Sequence, residues 1–68
     1  MRIVLNGEQQ ELAERASVRD AVRASGAPDE ARGVAVAIDG EVVPRGRWDD
    51  QSLAEGARVE VVQAVQGG

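Results

Sequence analysis

The sequence predicts an α+β domain in which one short α-helix covers one face of a β-sheet. Three features of its 68 residues indicate this fold class. Two dipeptides typical of tight hairpin turns, Asn6-Gly7 and Asp39-Gly40, each lie between extended segments. One amphipathic segment follows Ser17, and a valine-rich segment lies near the C-terminus. A chain of this length forms one domain, which we place at residues 1–64, with residues 65–68 as a flexible C-terminal tail.

The chain begins with a predicted β-hairpin. Residues 2–5 form a short apolar run, and the Asn-Gly pair that follows is the strongest short-range hairpin signal. The return segment, residues 8–12, is polar, so we predict that it is a strand at the edge of the sheet.

The next segment predicts a helix of about two turns. Ser17 is placed to cap its N-terminus, and Asp20 adds negative charge to the first turn. The residues of its apolar face recur at helical spacing: Val18, Ala21, Val22 and Ser25. Gly26 and Pro28 end the helix. Because so short a helix is not stable alone, it must pack on the sheet.

The second half of the chain predicts another hairpin, a loop and a last strand. Residues 34–38 alternate large and small side chains, and the Asp-Gly turn leads into residues 41–43, which Pro44 ends. Residues 45–57 show no clear period, and we expect Trp48, as a partly buried side chain, and Leu53 to anchor this loop. Residues 58–64 form the last strand.

The alternation of side chains along the strands assigns them to two faces of the sheet. The residues that should point toward the helix are Ile3, Leu5, Val36, Ile38, Val59 and Val61. The residues left on the uncovered face are Val4, Ala35, Ala37, Val62 and Ala64. Apolar residues clustered on an open face are typical of a partner-binding patch, although single surface apolar residues need no such explanation.

The amino-acid composition limits the reactions and the binding partners that are open to this chain. The chain has no cysteine and no histidine, which excludes disulfides, thiolate metal sites, a cysteine nucleophile and the commonest general base. The net charge of −4 argues against a nucleic-acid-binding surface. No segment approaches the ~20 apolar residues of a membrane span, and the N-terminus leads directly into a strand rather than a signal peptide. We therefore expect a cytoplasmic protein that binds neither nucleic acid nor membrane.

Several segments together resemble one known family. The segment VAVAIDGEVVPRGRW (residues 34–48), Leu53, Glu55-Gly56, the strand RVEVVQAV and the terminal Gly67-Gly68 are similar to the bacterial thiamine-biosynthesis sulfur carriers, the ThiS family. A VPR segment followed shortly by Trp, then by a valine-rich strand and a Gly-Gly end, is more specific to this family than a Gly-Gly end alone. The resemblance runs the whole length of the chain. It implies a ubiquitin-like β-grasp fold, with a mixed sheet of four to five strands packed on one α-helix.

The resemblance also implies a function for the C-terminus. The carboxylate of Gly68 would be adenylated and then converted to a thiocarboxylate that donates sulfur. A ubiquitin-activating-type adenylyltransferase would supply ATP and Mg, a sulfurtransferase or cysteine desulfurase system would supply the sulfur, and thiazole synthase would receive it. The chain itself would then be a carrier rather than an enzyme, with no bound cofactor or metal, and a monomer when free. The residues expected to contact partners are Gly67, Gln66, Val65, Ala64, Val62 and Val4.

Other functions compete with this interpretation. A carrier for another sulfur pathway, such as the small subunit of molybdopterin synthase, would share the fold and the Gly-Gly end. A β-grasp binding module with an inert tail is the alternative from another class, and an independent enzyme is the third. The charged loop residues are interpreted as solvated rather than as metal or docking sites: Asp29, Glu30, Arg45, Arg47, Asp49 and Asp50.

Overall fold

The computed structural model describes residues 1–27 and 33–64. The elements in chain order are β1 (Arg2–Leu5), β2 (Glu8–Glu11), α1 (Val18–Ala24), β3 (Val34–Ile38), β4 (Glu41–Val43), a 3₁₀ turn (Arg45–Arg47) and β5 (Arg58–Gln63). The predicted order of elements is confirmed, and β2 and β5 each end one residue earlier than predicted. The predictions that lie outside the described residues concern Pro28, Asp29, Glu30, Val65, Gln66, Gly67 and Gly68.

The five strands form one mixed sheet in the order β2-β1-β5-β3-β4. β5 pairs in parallel with β1 and antiparallel with β3, so the last strand in the chain lies in the middle of the sheet. Two hairpins, β1–β2 and β3–β4, complete the sheet on either side of it. The α+β fold with one helix packed on a sheet is therefore confirmed.

Both predicted hairpin turns are two-residue turns with left-handed backbone. Asn6 and Gly7 have φ angles of 50° and 84°, and Asp39 and Gly40 have φ angles of 49° and 88°. Positive φ at both central residues is the type I′ geometry that matches the twist of the flanking strands. The second position of each turn needs glycine because a Cβ is strained at such angles.

Helix α1 begins at a capping box. The N–H of Asp20 donates to Ser17 Oγ over 3.3 Å, and the N–H of Ser17 donates to the Asp20 carboxylate over 2.8 Å. These reciprocal bonds satisfy backbone donors that the helix itself cannot. The predicted Ser17 cap is confirmed, and Asp20 contributes a hydrogen bond as well as its charge. The helix ends before Gly26, whose φ of 89° suits a C-terminal cap.

The core lies between the helix and the inner face of the sheet. Its buried residues are Ile3, Leu5, Ala16, Val18, Ala21, Val22, Val36, Val43, Trp48, Leu53, Ala57 and Val59. Ile38 and Val61 pack against it as half-buried residues. All six side chains predicted to face the helix therefore lie in or against the core.

The loop before β5 is anchored by Trp48, which is more deeply buried than predicted. The prediction that Trp48 is partly buried was wrong, because only 1% of the residue is exposed. Its indole Nε1 donates to the carbonyl of Val43 over 3.1 Å, which satisfies the one polar atom of the side chain. The guanidinium groups of Arg45 and Arg19 lie 5.0 Å and 5.6 Å from the ring centroid, and Arg19 also pairs with Asp49. Both arginines therefore help to cover the indole.

Candidate partner-binding face

The sheet face opposite the helix carries a cluster of exposed apolar side chains. Val62 on β5 and Val42 on β4 are 61% and 75% exposed, and both are large apolar residues. The register places Val62 opposite Ala35 and Val42 opposite Ala37, so these four side chains share one face. We call Ala35, Ala37, Val42 and Val62 the open-face patch. Three of its members were predicted from strand alternation, Val42 was not, and the predicted Val4 and Ala64 lie outside it.

A shallow groove of about 220 Å³ follows this patch. Its lining consists of Ala35, Val36, Ala37, Val42, Glu60 and Val62. The floor is formed by small side chains on β3, and the two valines stand at its sides. Glu60 is the one charged side chain of the lining, and it lies on the β5 side of the groove. This geometry offers an apolar contact surface with a negative charge at its border.

The structure brings some of the predicted contact residues together and separates others. Val62 lies in the open-face patch. Ala64 follows β5, is exposed, and donates its N–H to the carbonyl of Gly33 over 2.9 Å. Val4 is half-buried on β1, where it lines a different hollow with Arg58 and Glu60. Val4 thus shares the sheet face but not the patch.

Val42 is a candidate contact residue that sequence reasoning missed. The signal was present in the Asp39-Gly40 turn, because a two-residue turn fixes which residues of β3 and β4 lie opposite each other. Counting outward from that turn places Val42 opposite Ala37, on the uncovered face. The prediction assigned Ala37 to that face without carrying the register across the turn.

Charged groups lie at the β1–β2 edge of the sheet, away from the β3–β4 edge. The N-terminal ammonium of Met1 donates to the carboxylate of Glu11 over 2.9 Å and to the carbonyl of Leu12 over 2.9 Å. This hydrogen bond raises the pKa of the α-amino group above its usual 8.0 and lowers the pKa of Glu11 below its usual 4.5. Arg2 lies 3.6 Å from the same carboxylate. These ion pairs join the first strand to the edge strand, outside the open-face patch.

Two further findings concern ligands and membranes. Among residues 1–27 and 33–64, no group of three or more acidic side chains is arranged to hold a metal ion. Helix α1 is too short to cross a membrane, and no helix among the described residues is long and apolar enough to do so.

The five-stranded mixed sheet with one helix across it defines a ubiquitin-like β-grasp domain. Comparison with known proteins narrows this class. The model of the ThiS family matches residues 3–68, and the chain belongs to that family.

Two solved structures of thiamine biosynthesis proteins share this fold. The crystal structure of a thiamine biosynthesis protein (ThiS) from Geobacter metallireducens is 28% identical over the full length of both chains, with a TM-score of 0.78. An NMR structure of a thiamine biosynthesis protein from the same organism gives the same identity and TM-score, covering 100% of this chain and 88% of the other. No curated protein sequence matches the chain significantly.

Proposed function

We propose that this chain is a sulfur carrier of thiamine biosynthesis, in which the C-terminal carboxylate of Gly68 carries the sulfur. The observation that supports this most strongly is the family match, which extends over residues 3–68 and so includes the terminal Gly67-Gly68. The β-grasp domain and the two ThiS neighbours point the same way.

The proposed chemistry begins with activation of the carboxylate. A carboxylate is a poor electrophile because its charge repels nucleophiles and its oxygen is a poor leaving group. An adenylyltransferase of the ubiquitin-activating type would transfer AMP from MgATP to Gly68 and release pyrophosphate. A persulfide of a sulfurtransferase or cysteine desulfurase system would then displace AMP and form an acyl disulfide with Gly68. A second thiol of that system would cleave this bond, leaving a thiocarboxylate on Gly68 and a disulfide on the donor. ATP and Mg bind to the partner in this scheme, and this chain is its substrate.

The two glycines suit a tail that must enter another protein's active site. A glycine has no Cβ to meet the wall of a narrow channel, and it adopts backbone conformations that other residues do not. Gly67 and Gly68 are thus expected to pass through a channel that would stop a larger residue. Thiazole synthase is the proposed acceptor of the sulfur.

The open-face patch is the proposed docking surface for the partners. Exposed Val42 and Val62 beside small alanines can be buried against an apolar surface at little steric cost. Val62 lies on the strand that leads to the tail and Ala64 follows that strand, so a partner bound there also lies next to the tail's origin. Val4 would contact only a partner that extends past Glu60 toward β1.

Intact-mass spectrometry tests the function. Incubation with the adenylyltransferase, ATP and a sulfur donor should raise the mass by about 16 Da, but oxidation of Met1 adds nearly the same mass. Because the chain has no cysteine, a thiol-selective alkylating reagent distinguishes the two: it should label a thiocarboxylate and leave methionine sulfoxide unlabelled.

The matched control is a chain that lacks Gly68, which should be neither adenylated nor labelled. Transfer of sulfur from the loaded chain to thiazole synthase then separates a thiamine carrier from a molybdopterin-pathway carrier. A full-length chain that stays unlabelled with partners shown to be active on another carrier would refute the proposed function.

A further inference from the structure

The first residue of each hairpin turn binds β5 through its side chain. Asn6 Oδ1 accepts a hydrogen bond from the N–H of Val61 over 2.8 Å. Asp39 Oδ1 accepts one from the N–H of Arg58 over 3.1 Å. β5 is therefore held from both sides, by two turns that have nearly the same backbone geometry.

The Asn6 side chain extends the parallel ladder beyond the end of β1. The N–H of Asn6 donates to the carbonyl of Val59 over 2.9 Å. In a regular parallel ladder, the carbonyl of the same residue would accept from Val61, two residues further along β5. The left-handed backbone of Asn6 directs the chain into the turn instead. Its amide oxygen takes the place of the carbonyl, and the ladder gains one more bond.

The side chain of Asp39 likewise takes the place of a backbone carbonyl. It does so on the other side of β5 and at the opposite end of that strand. Its N–H donates to the carbonyl of Arg58 over 2.8 Å, and its carboxylate accepts from the N–H of the same residue. Arg58 is the first residue of β5, whereas Val61 lies in the half that continues toward the tail. The two bonds thus have similar chemistry and different positions relative to the C-terminus.

The register shows why the bond to Val61 matters for the tail. β1 pairs with β5 only at Arg58 and Val59, while β3 pairs with β5 as far as Gln63. Within the described residues, Asn6 is thus the last hydrogen-bonding partner of β5 on the β1 side. Without it, the C-terminal half of β5 would be held from the β3 side alone and could rotate about that ladder.

We infer that Asn6 is a positioning residue for sulfur loading: its amide oxygen sets the direction in which β5 delivers the C-terminal tail. This inference rests on the proposed function. Asn6 touches none of the reacting atoms and acts through Val61. We expect its effect in the turnover step, because the ladder to β3 keeps Val62 opposite Ala35 when the bond to Val61 is removed.

Two glycine variants and one conservative variant test the role. Asn6→Gly and Asp39→Gly each remove one Oδ1 acceptor, and glycine tolerates the left-handed backbone at both positions. Asn6→Asp keeps an acceptor in an Asp-Gly turn of the kind that residues 39 and 40 already form. The buried Trp48 reports by fluorescence whether each variant is folded.

Adenylation kinetics with the activating enzyme supply the functional readout. Asn6→Gly should lower kcat about threefold to tenfold, the range that one lost hydrogen bond produces, with KM for the carrier unchanged. Asp39→Gly and Asn6→Asp should keep wild-type values of both. Amide hydrogen exchange should become faster at Val61 in Asn6→Gly and at Arg58 in Asp39→Gly.

The outcomes separate the inference from the function on which it rests. Equal kcat values for Asn6→Gly and Asp39→Gly in an active system would overturn the positioning role alone, as would failure of Asn6→Asp to retain the wild-type rate. A wild-type chain that is never adenylated by a demonstrably active enzyme would overturn the proposed function, and the positioning role with it.

Discussion

Replacing Val62 with aspartate should weaken docking of the partner about 100-fold while the fold is retained. The side chain lies on the β5 side of the open-face patch, and 61% of the residue is exposed. Burying a whole valine side chain is worth about 1.5–3 kcal/mol, so burying the exposed part in a complex contributes about 1–2 kcal/mol. An aspartate forfeits this contribution and adds the cost of desolvating an unpaired carboxylate. The sum is at least about 3 kcal/mol, or about 100-fold in Kd.

The fold should tolerate the same change because the side chain faces solvent in the free protein. Aspartate is a poor strand residue, but the whole range of strand propensities spans only about 1 kcal/mol. For a domain of this size, that corresponds to a fall in Tm of about 4–8 °C. Thermal unfolding, monitored by circular dichroism, measures this loss of stability independently of binding.

Gln63→Asp is the matched control for Val62→Asp. It introduces the same charge and the same strand propensity one residue further along β5, where alternation turns the side chain away from the open face. Isothermal titration calorimetry with the adenylyltransferase should give a Kd for Gln63→Asp close to that of the wild type. If Val62→Asp binds within about threefold of wild type, or if both variants are weakened equally, the patch is not the docking surface.

Three other predictions concern stability. Ser17→Ala removes the hydroxyl that accepts from the N–H of Asp20 and donates to the Asp20 carboxylate, and urea unfolding should show a loss of about 1 kcal/mol. The bond between the Met1 ammonium and Glu11 stabilises the fold only while both groups are charged, since the pKa of the amine is raised and that of the carboxyl lowered. Its contribution should be lost as the pH rises above 8.0 and as it falls below 4.5. Glu11→Gln should therefore flatten the dependence of Tm on pH at both ends, and parallel curves would contradict the role of this pair. Trp48→Phe leaves unfilled volume and removes the donor to Val43, so we expect a loss of about 2 kcal/mol by urea unfolding; an unchanged midpoint would show that the loop is anchored by other contacts.

The elements that sequence predicted well are those specified by neighbouring residues. The Asn-Gly and Asp-Gly pairs determine their turns because only a few residues tolerate a left-handed backbone at two successive positions. The helix start at Ser17 follows from a hydroxyl three residues before an acidic side chain. In both cases the residues that carry the signal also make the contact, so a short stretch of sequence contains the information.

The features that sequence did not reveal depend on residues far apart in the chain. The place of β5 between β1 and β3 is set by pairing across more than 50 residues on one side, and alternation alone does not choose a neighbour. The bond from Asn6 to Val61 needs that pairing before it can form. Part of the cover over Trp48 likewise comes from Arg19, which lies on helix α1 in a separate segment of the chain.

The central position of β5 has a consequence for how the protein is made. While a ribosome is still translating residues before Arg58, the nascent chain holds two hairpins without the strand that joins them into one sheet. An isolated two-stranded hairpin is marginal in water. A polypeptide released prematurely would therefore stay unfolded and open to proteases. The domain therefore becomes stable only after β5 has been translated.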